Sequence, residues 1–118
     1  MGYKSHKGKI IVGLSEIIRL IGKNKAKKIK ARIDTGATKS SVDAKLAASL
    51  QLGPVIKTKF IKSAHGNSLR PLIKTEIELA GKKICSEFTI ADRAHMRYKV
   101  LIGQNILKHG FLIDPGKK

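Results

Sequence analysis

The chain has 118 residues and a formal charge of +17, from 25 Lys and Arg against 8 Asp and Glu. That length suits one domain over residues 1–118; no run approaches the ~20 apolar residues of a membrane span, and no long apolar stretch follows the basic N-terminus to make a signal peptide. One cysteine, Cys85, excludes an internal disulfide and points to a cytoplasmic location.

Hydrophobic residues make up 42 % of the chain and aromatics only 4 %, so the core must rest on Ile, Leu, Val and Ala. Residues 9–14 read as a first strand, and residues 17–22 as either a second short strand or a helical turn. The cluster Lys23-Asn24-Lys25-Ala26-Lys27-Lys28 lies between two apolar segments and reads as a solvated hairpin loop. Residues 27–33 form a strand leading into a turn, and Ser41-Val42-Asp43 returns from it. Asp43 suits a helix N-cap. Ala44 to Leu50 then combines strong helix formers with apolar spacing of three and four. Gly53-Pro54 stops the helix, with Gly in the C-terminal position.

Residues 55–62 and 69–79 read as strands flanking the polar turn Ser63-Ala64-His65-Gly66-Asn67-Ser68, with Gly-Asn as the hairpin signal. Pro71 falls near a strand start, where its missing N–H is tolerated. Residues 84–90 alternate as a further strand, in which Cys85 reads as a buried small hydrophobe. A polar connection over 92–97, a short buried strand at 100–103, one or two helical turns from Gln104 and a last strand at 111–114 complete the chain. Many short strands with hairpin turns and few helices predict an all-β barrel or sandwich.

One stretch carries chemistry: Ala31-Arg32-Ile33-Asp34-Thr35-Gly36-Ala37. A strand feeding Asp-Thr-Gly presents a carboxylate at a strand end. Thr can hydrogen-bond the loop and lock the Asp rotamer, and Gly permits close backbone approach. The same three residues also serve in ordinary turns. No metal or cofactor is expected: His6, His65, His95 and His109 are scattered, and there is neither a His-Glu-x-x-His motif nor a phosphate loop.

The order Asp34-Thr35-Gly36-Ala37, a hairpin around His65-Gly66-Asn67, then Val100-Leu101-Ile102-Gly103 before a helix resembles the retropepsin-like aspartic peptidases. Within that group, Ser63 to Pro71, Thr89 to Gly103 and Phe111-Leu112-Ile113-Asp114-Pro115-Gly116 are similar to the small members labelled ATP-dependent zinc proteases, some of which are associated with ribosomal-protein glutamate ligases and trim polyglutamate tails. The resemblance implies a closed, mainly β barrel with one or two short helices. It implies catalysis by Asp34 with Thr35 and Gly36 in support, and substrate contact by Ala37, by the flap residues His65, Gly66 and Asn67, and by Arg70 and Arg93. Structural ion pairing is the alternative role of the two arginines.

Aspartic peptidases need two carboxylates sharing a proton, and this chain holds one Asp-Thr-Gly. The resemblance therefore implies a homodimer that joins two copies of Asp34. It also marks departures: retropepsins usually carry Arg after the Leu-Ile-Gly strand and many viral ones Asp after Asp-Thr-Gly-Ala, where this chain has Gln104 and Thr38, so a neutral hydrogen bond replaces an ion pair. Only Pro115-Gly116-Lys117-Lys118 follow Asp114, whereas retropepsin dimers often interleave terminal strands.

The positive charge suits an acidic or polyglutamate peptide substrate, and polyanions in general. Two rival readings stand beside the peptidase. One is a non-catalytic basic β-barrel that binds RNA, ribosomal components or acidic peptides, although five aromatics offer little surface for base stacking. The other is a retropepsin-like fold that has lost catalysis and serves as a dimerisation or peptide-binding module.

Overall fold

The structure is a computed structural model that describes residues 2–63 and 66–117, with only the backbone at 61 and 63. In chain order it contains β1 (Ser5–His6), β2 (Lys9–Val12), β3 (Ser15–Ile21), β4 (Ala26–Ile33), β5 (Ser40–Asp43), α1 (Ala44–Leu50), β6 (Val55–Ser63), β7 (Gly66–Leu79), β8 (Lys82–Ala91), β9 (Val100–Ile102), α2 (Gln104–Leu107) and β10 (Phe111–Ile113). Six of these strands, in the order β3-β4-β9-β5-β8-β7, close on themselves through a β3–β7 pairing, and β6 extends the sheet from β7. The mainly β expectation resolves into a closed barrel rather than a sandwich. A separate small sheet, β1-β2-β10, joins the N-terminal strands to the C-terminal one.

Alternation explains the wall of the barrel. In β3, Ile18 and Leu20 point inward and Ile17 and Arg19 outward; in β4, Ala31 and Ile33 are buried while Lys28, Lys30 and Arg32 are exposed. Phe88, Ile73, Ile77, Leu79, Val42, Val100 and Ile102 are fully buried from the other strands. Each such side chain contributes about 2 kcal/mol over its exposed state. Residues 17–22, which read as strand or helical turn, fall in β3 up to Ile21, a strand because it pairs antiparallel with β4 on one edge and β7 on the other.

α1 begins at Asp43 as expected, with the Leu46 N–H donating to Asp43 Oδ2 at 3.3 Å. Its C-terminal cap differs from expectation. Gln51, not Gly53, adopts the left-handed conformation (φ 51°, ψ 49°), and its N–H donates to Ala47 and Ala48. Three further differences follow from pairing. β7 starts at Gly66 rather than Leu69, because the β6–β7 ladder runs to Ser63 and Gly66. The lysine cluster is only partly a loop, since Lys27 and Lys28 already pair with β3. Cys85 is exposed, not buried: Ile84 and Phe88 take the inward face of β8, and Cys85 stands opposite Glu76 on the outer one. β1, two polar residues held by pairing with β2, has no apolar signature to find. His65 lies outside the described residues. Among those described, no helix is long and apolar enough to cross a membrane.

Candidate active site

The placement of β9 builds the site. β9 runs parallel to β4 (Arg32 opposite Leu101, Ile33 opposite Ile102) and antiparallel to β5 (Ser41 opposite Leu101). The chain between β4 and β5 must therefore loop around the end of β9, and Asp34 is the first residue of that loop. The Asp34 N–H continues the ladder by donating to Ile102 O at 2.9 Å.

The loop is held from inside and from α2. The Gly36 N–H donates to Asp34 Oδ1 at 2.9 Å and fixes the carboxylate rotamer, the task expected of the Thr35 hydroxyl. A Cβ on Gly36 would lie 3.3 Å from that same oxygen. The Ala37 N–H donates to Asp34 O, and Ala37 O accepts from the Gln104 N–H at 2.8 Å, so the backbone of Ala37 closes the turn. Gln104 Nε2 donates to Thr35 O at 2.6 Å. The neutral replacement for an ion pair thus exists, but it reaches the Thr35 carbonyl rather than the Thr38 side chain. Gly103 passes so close beneath the loop that a Cβ there would sit 2.5 Å from Lys39 O and 2.8 Å from Ala37 O.

A second layer escaped the sequence reading. Asn105 accepts from the Ser40 hydroxyl at 2.8 Å and donates from Nδ2 to Ser86 Oγ at 3.0 Å and Glu87 O at 2.9 Å. Ser40, fully buried, accepts in turn from the Gly103 N–H at 3.0 Å. Lys39 pairs with Glu87 at 3.0 Å, and that hydrogen bond and charge hold the Glu87 carboxyl below its usual range. The signal for this layer was only an Asn one turn into a helix, a common polar residue with no motif of its own.

Asp34 itself is half-buried. Asp43, Asp92 and Asp114 are each committed elsewhere: Asp43 caps α1 and accepts the Arg93 N–H at 2.8 Å, Asp92 accepts the Ala94 N–H, and Asp114 accepts the Gly116 N–H. Asp43 is 4 % exposed. Burial pushes its pKa up, but the Arg93 and Leu46 N–H groups and the Lys99 charge outweigh burial and leave it lowered.

Of the expected substrate contacts, Arg93 lies in the β8–β9 connection, with Nε donating to Tyr98 O at 3.0 Å. Arg70 lies on β7, with Nε donating to Ser68 Oγ at 3.1 Å. Arg32, Arg70, Asp34 and Asp43 all lie close enough to Arg93 for their charges to act on it. Burial first, then the charges of Arg32 and Arg70, lower the Arg93 pKa, while Asp34 and Asp43 act in the opposite direction. Gly66 (φ 107°) and Asn67 stand at the exposed end of the β6–β7 hairpin. Among the described residues, no group of three or more His, Cys, Asp or Glu is placed to hold a metal ion.

Known proteins share parts of this architecture. A protein of unknown function from Legionella pneumophila has the same fold, with a TM-score of 0.63 and 19 % identity over 92 % of this chain and 95 % of that one. Proteins named probable alpha-L-glutamate ligase from Desulfotalea psychrophila and Shewanella pealeana are each 30 % identical, over 74 % and 75 % of this chain. The chain spans about a quarter of their length (24 % and 25 %). A family model described as RimB-like, retropepsin-like aspartic endopeptidase RimB, matches residues 45–118, from α1 through the β6–β7 hairpin, β9 and β10, with the Asp34 turn preceding the matched range. On that match the chain belongs to the RimB-like family of retropepsin-like aspartic endopeptidases.

Proposed function

We propose that the protein is an aspartic endopeptidase that cuts acidic peptides, polyglutamate tails among them, through a dyad formed by the Asp34 residues of two copies of the chain. The observation that carries this reading is the mounting of Asp34: a carboxylate at a strand end, its rotamer fixed by the Gly36 N–H, its loop fastened to α2 through Gln104 and Gly103. An ordinary turn has no need of that second fastening. The chain holds one Asp-Thr-Gly, so in this reading the second carboxylate comes from another copy.

In such a dyad two carboxylates too close to ionise together share one proton. The ionised Asp34 takes a proton from the attacking water, and the protonated one donates to the carbonyl oxygen of the scissile bond. Collapse of the tetrahedral intermediate then releases an acid and an amine. The hairpin β6–β7 covers the substrate. The ligase-named relatives support the acidic substrate: each carries a stretch similar to this chain within a protein named for α-L-glutamate.

The test is cleavage of poly-α-glutamate by the wild type and Asp34→Asn across pH, read by mass spectrometry. Cleavage by the wild type alone is expected. Equal cleavage by both proteins, or by neither, refutes the assignment. The +17 charge favours RNA binding as the second reading. Salt-sensitive RNA binding by a protein that cleaves no acidic peptide supports it.

A further inference from the structure

The register of the barrel sets residues from successive strands in one row. Arg32 on β4 stands opposite Leu101 on β9, Leu101 opposite Ser41 on β5, Ser41 opposite Thr89 on β8, and Thr89 opposite Leu72 on β7. Paired residues share a face. Because Val42, Val100 and Phe88 fill the interior, this row belongs to the outer face. Asp34, two residues beyond Arg32, lies on the same side by alternation. Ser41 is 9 % exposed, and its hydroxyl is buried with no hydrogen-bond partner among the described residues. Buried hydroxyls are normally paired.

Three arginines from three elements frame that row. Arg32 occupies its end. Arg93 lies over the β5 side, held by its N–H on Asp43 and its Nε on Tyr98 O. Arg70 is two residues before Leu72 on β7 and therefore on the same face. It stands opposite Lys59, and Leu72 opposite Lys57, so the flap hairpin turns a basic face this way. The apolar pair Phe60 and Leu69, 53 % and 69 % exposed, occupies the opposite face. None of the three arginines forms an ion pair with a described carboxylate; the ion pairs found are Lys39–Glu87 and Lys117–Glu16. Asp34 and Asp43 oppose the repulsion that Arg32 and Arg70 exert on Arg93, but the cations remain in excess, and such a group is stabilised by an anion bound between them.

We infer that Arg32, Arg70 and Arg93 form an anion subsite beside Asp34 that seats the side-chain carboxylate of a substrate residue flanking the bond to be cut. This deepens the proposed function and rests on it only for the position of the cut. Arg32 is the residue that sequence reading passed over; alternation from Asp34 now assigns it to the cleft. Guanidinium suits the role, since it offers donors in a planar fork to both carboxylate oxygens.

The test separates binding from cleavage. Binding of a fluorescein-labelled oligoglutamate peptide and its oligoglutamine counterpart is measured by anisotropy for the wild type, Arg32→Gln and Arg19→Gln. Arg19 is exposed on β3, opposite Lys28 and Glu78, so its replacement removes the same charge elsewhere on the surface. The wild type should prefer the Glu peptide. Arg32→Gln should weaken that binding about tenfold, the scale of one charge-assisted bond, and Arg19→Gln much less. Equal losses in the two variants, or no preference for Glu over Gln, overturn the subsite. Repeating the titration with Asp34→Asn keeps the two claims apart: if that variant still cleaves, the catalytic assignment fails, while the Arg32 result stands on its own.

Discussion

Replacing Asn105 by Ala tests whether the site is built as described. The side chain makes three hydrogen bonds, to Ser40 Oγ, Ser86 Oγ and Glu87 O, at 2.8–3.0 Å. Ser40 is fully buried, so its hydroxyl loses its acceptor with no water to replace it. A hydrogen bond contributes about 1 kcal/mol net, and a buried partner left unsatisfied costs about 1–3 kcal/mol. The better helix propensity of Ala returns only about 0.5 kcal/mol. The net loss is about 3 kcal/mol, which for a domain of this size lowers Tm by about 12 °C. The assay is thermal unfolding followed by far-UV circular dichroism. A fall of less than about 4 °C, near 1 kcal/mol by the same scaling, would refute the claim that this network holds the loop.

Other outcomes follow from the same geometry. Gln104→Ala removes one exposed bond, to Thr35 O, so it should cost under about 1 kcal/mol of stability yet lower the rate of peptide cleavage, measured by timed mass spectrometry. Gly103→Ala and Gly22→Ala should both destabilise, since the new Cβ would meet Lys39 O at 2.5 Å in one and Leu50 O at 1.9 Å in the other; only the first, beneath the Asp34 loop, should also reduce cleavage at a temperature where both remain folded. The Asp43 pKa is lowered in the folded state, so its contribution is present above the unfolded value near 3.8 and is lost as pH falls through the folded value; Asp43→Asn should flatten the acid limb of a Tm-against-pH curve. Cys85 is exposed and should react with a thiol reagent in the native protein as fast as in the unfolded one, measured by stopped-flow absorbance.

The strand pattern was legible because alternation is a local property. Ala31 and Ile33 against Lys30 and Arg32 can be read without knowing what they pack against, whereas residues 17–22 left strand and helical turn both open until pairing on two edges decided it. The α1 start was legible for the same reason, since Asp43 caps a helix that follows it immediately. Features set by distant parts of the chain were not legible. Cys85 alternates like its neighbours, and only pairing with β7 shows which face it takes. Gln51 adopts φ > 0 while Gly53-Pro54, the stronger stop signal, lies two residues on. Asn105 meets Ser40 and Ser86 across 65 and 19 residues of sequence, which no local pattern encodes. Arg32 was hidden in a run of exposed basic residues, and its place in the row with Leu101 and Ser41 comes from the pairing of β4, β9 and β5.

The chemistry of the support bears on the chemistry of the site. A loop fastened by an Arg–Asp ion pair would place two more formal charges within a few ångströms of the Asp34 carboxylate, where low local polarity magnifies them. Here the fastening next to Asp34 is neutral, a Gln amide on a carbonyl and a close-packed glycine, backed by an Asn amide on two hydroxyls and a carbonyl; the ion pair Lys39–Glu87 sits at the last residue of the loop. Arg32, Arg70 and Arg93 form no direct ion pair with a described carboxylate. In the proposed subsite an incoming carboxylate gains charge-assisted partners, and a neutral peptide gains none. Substituting the neutral clamp should therefore change how firmly Asp34 is held, and substituting the arginines should change which peptide is chosen. Measured on one peptide pair, the two sets of variants should separate into a loss of kcat and a loss of Glu-over-Gln preference.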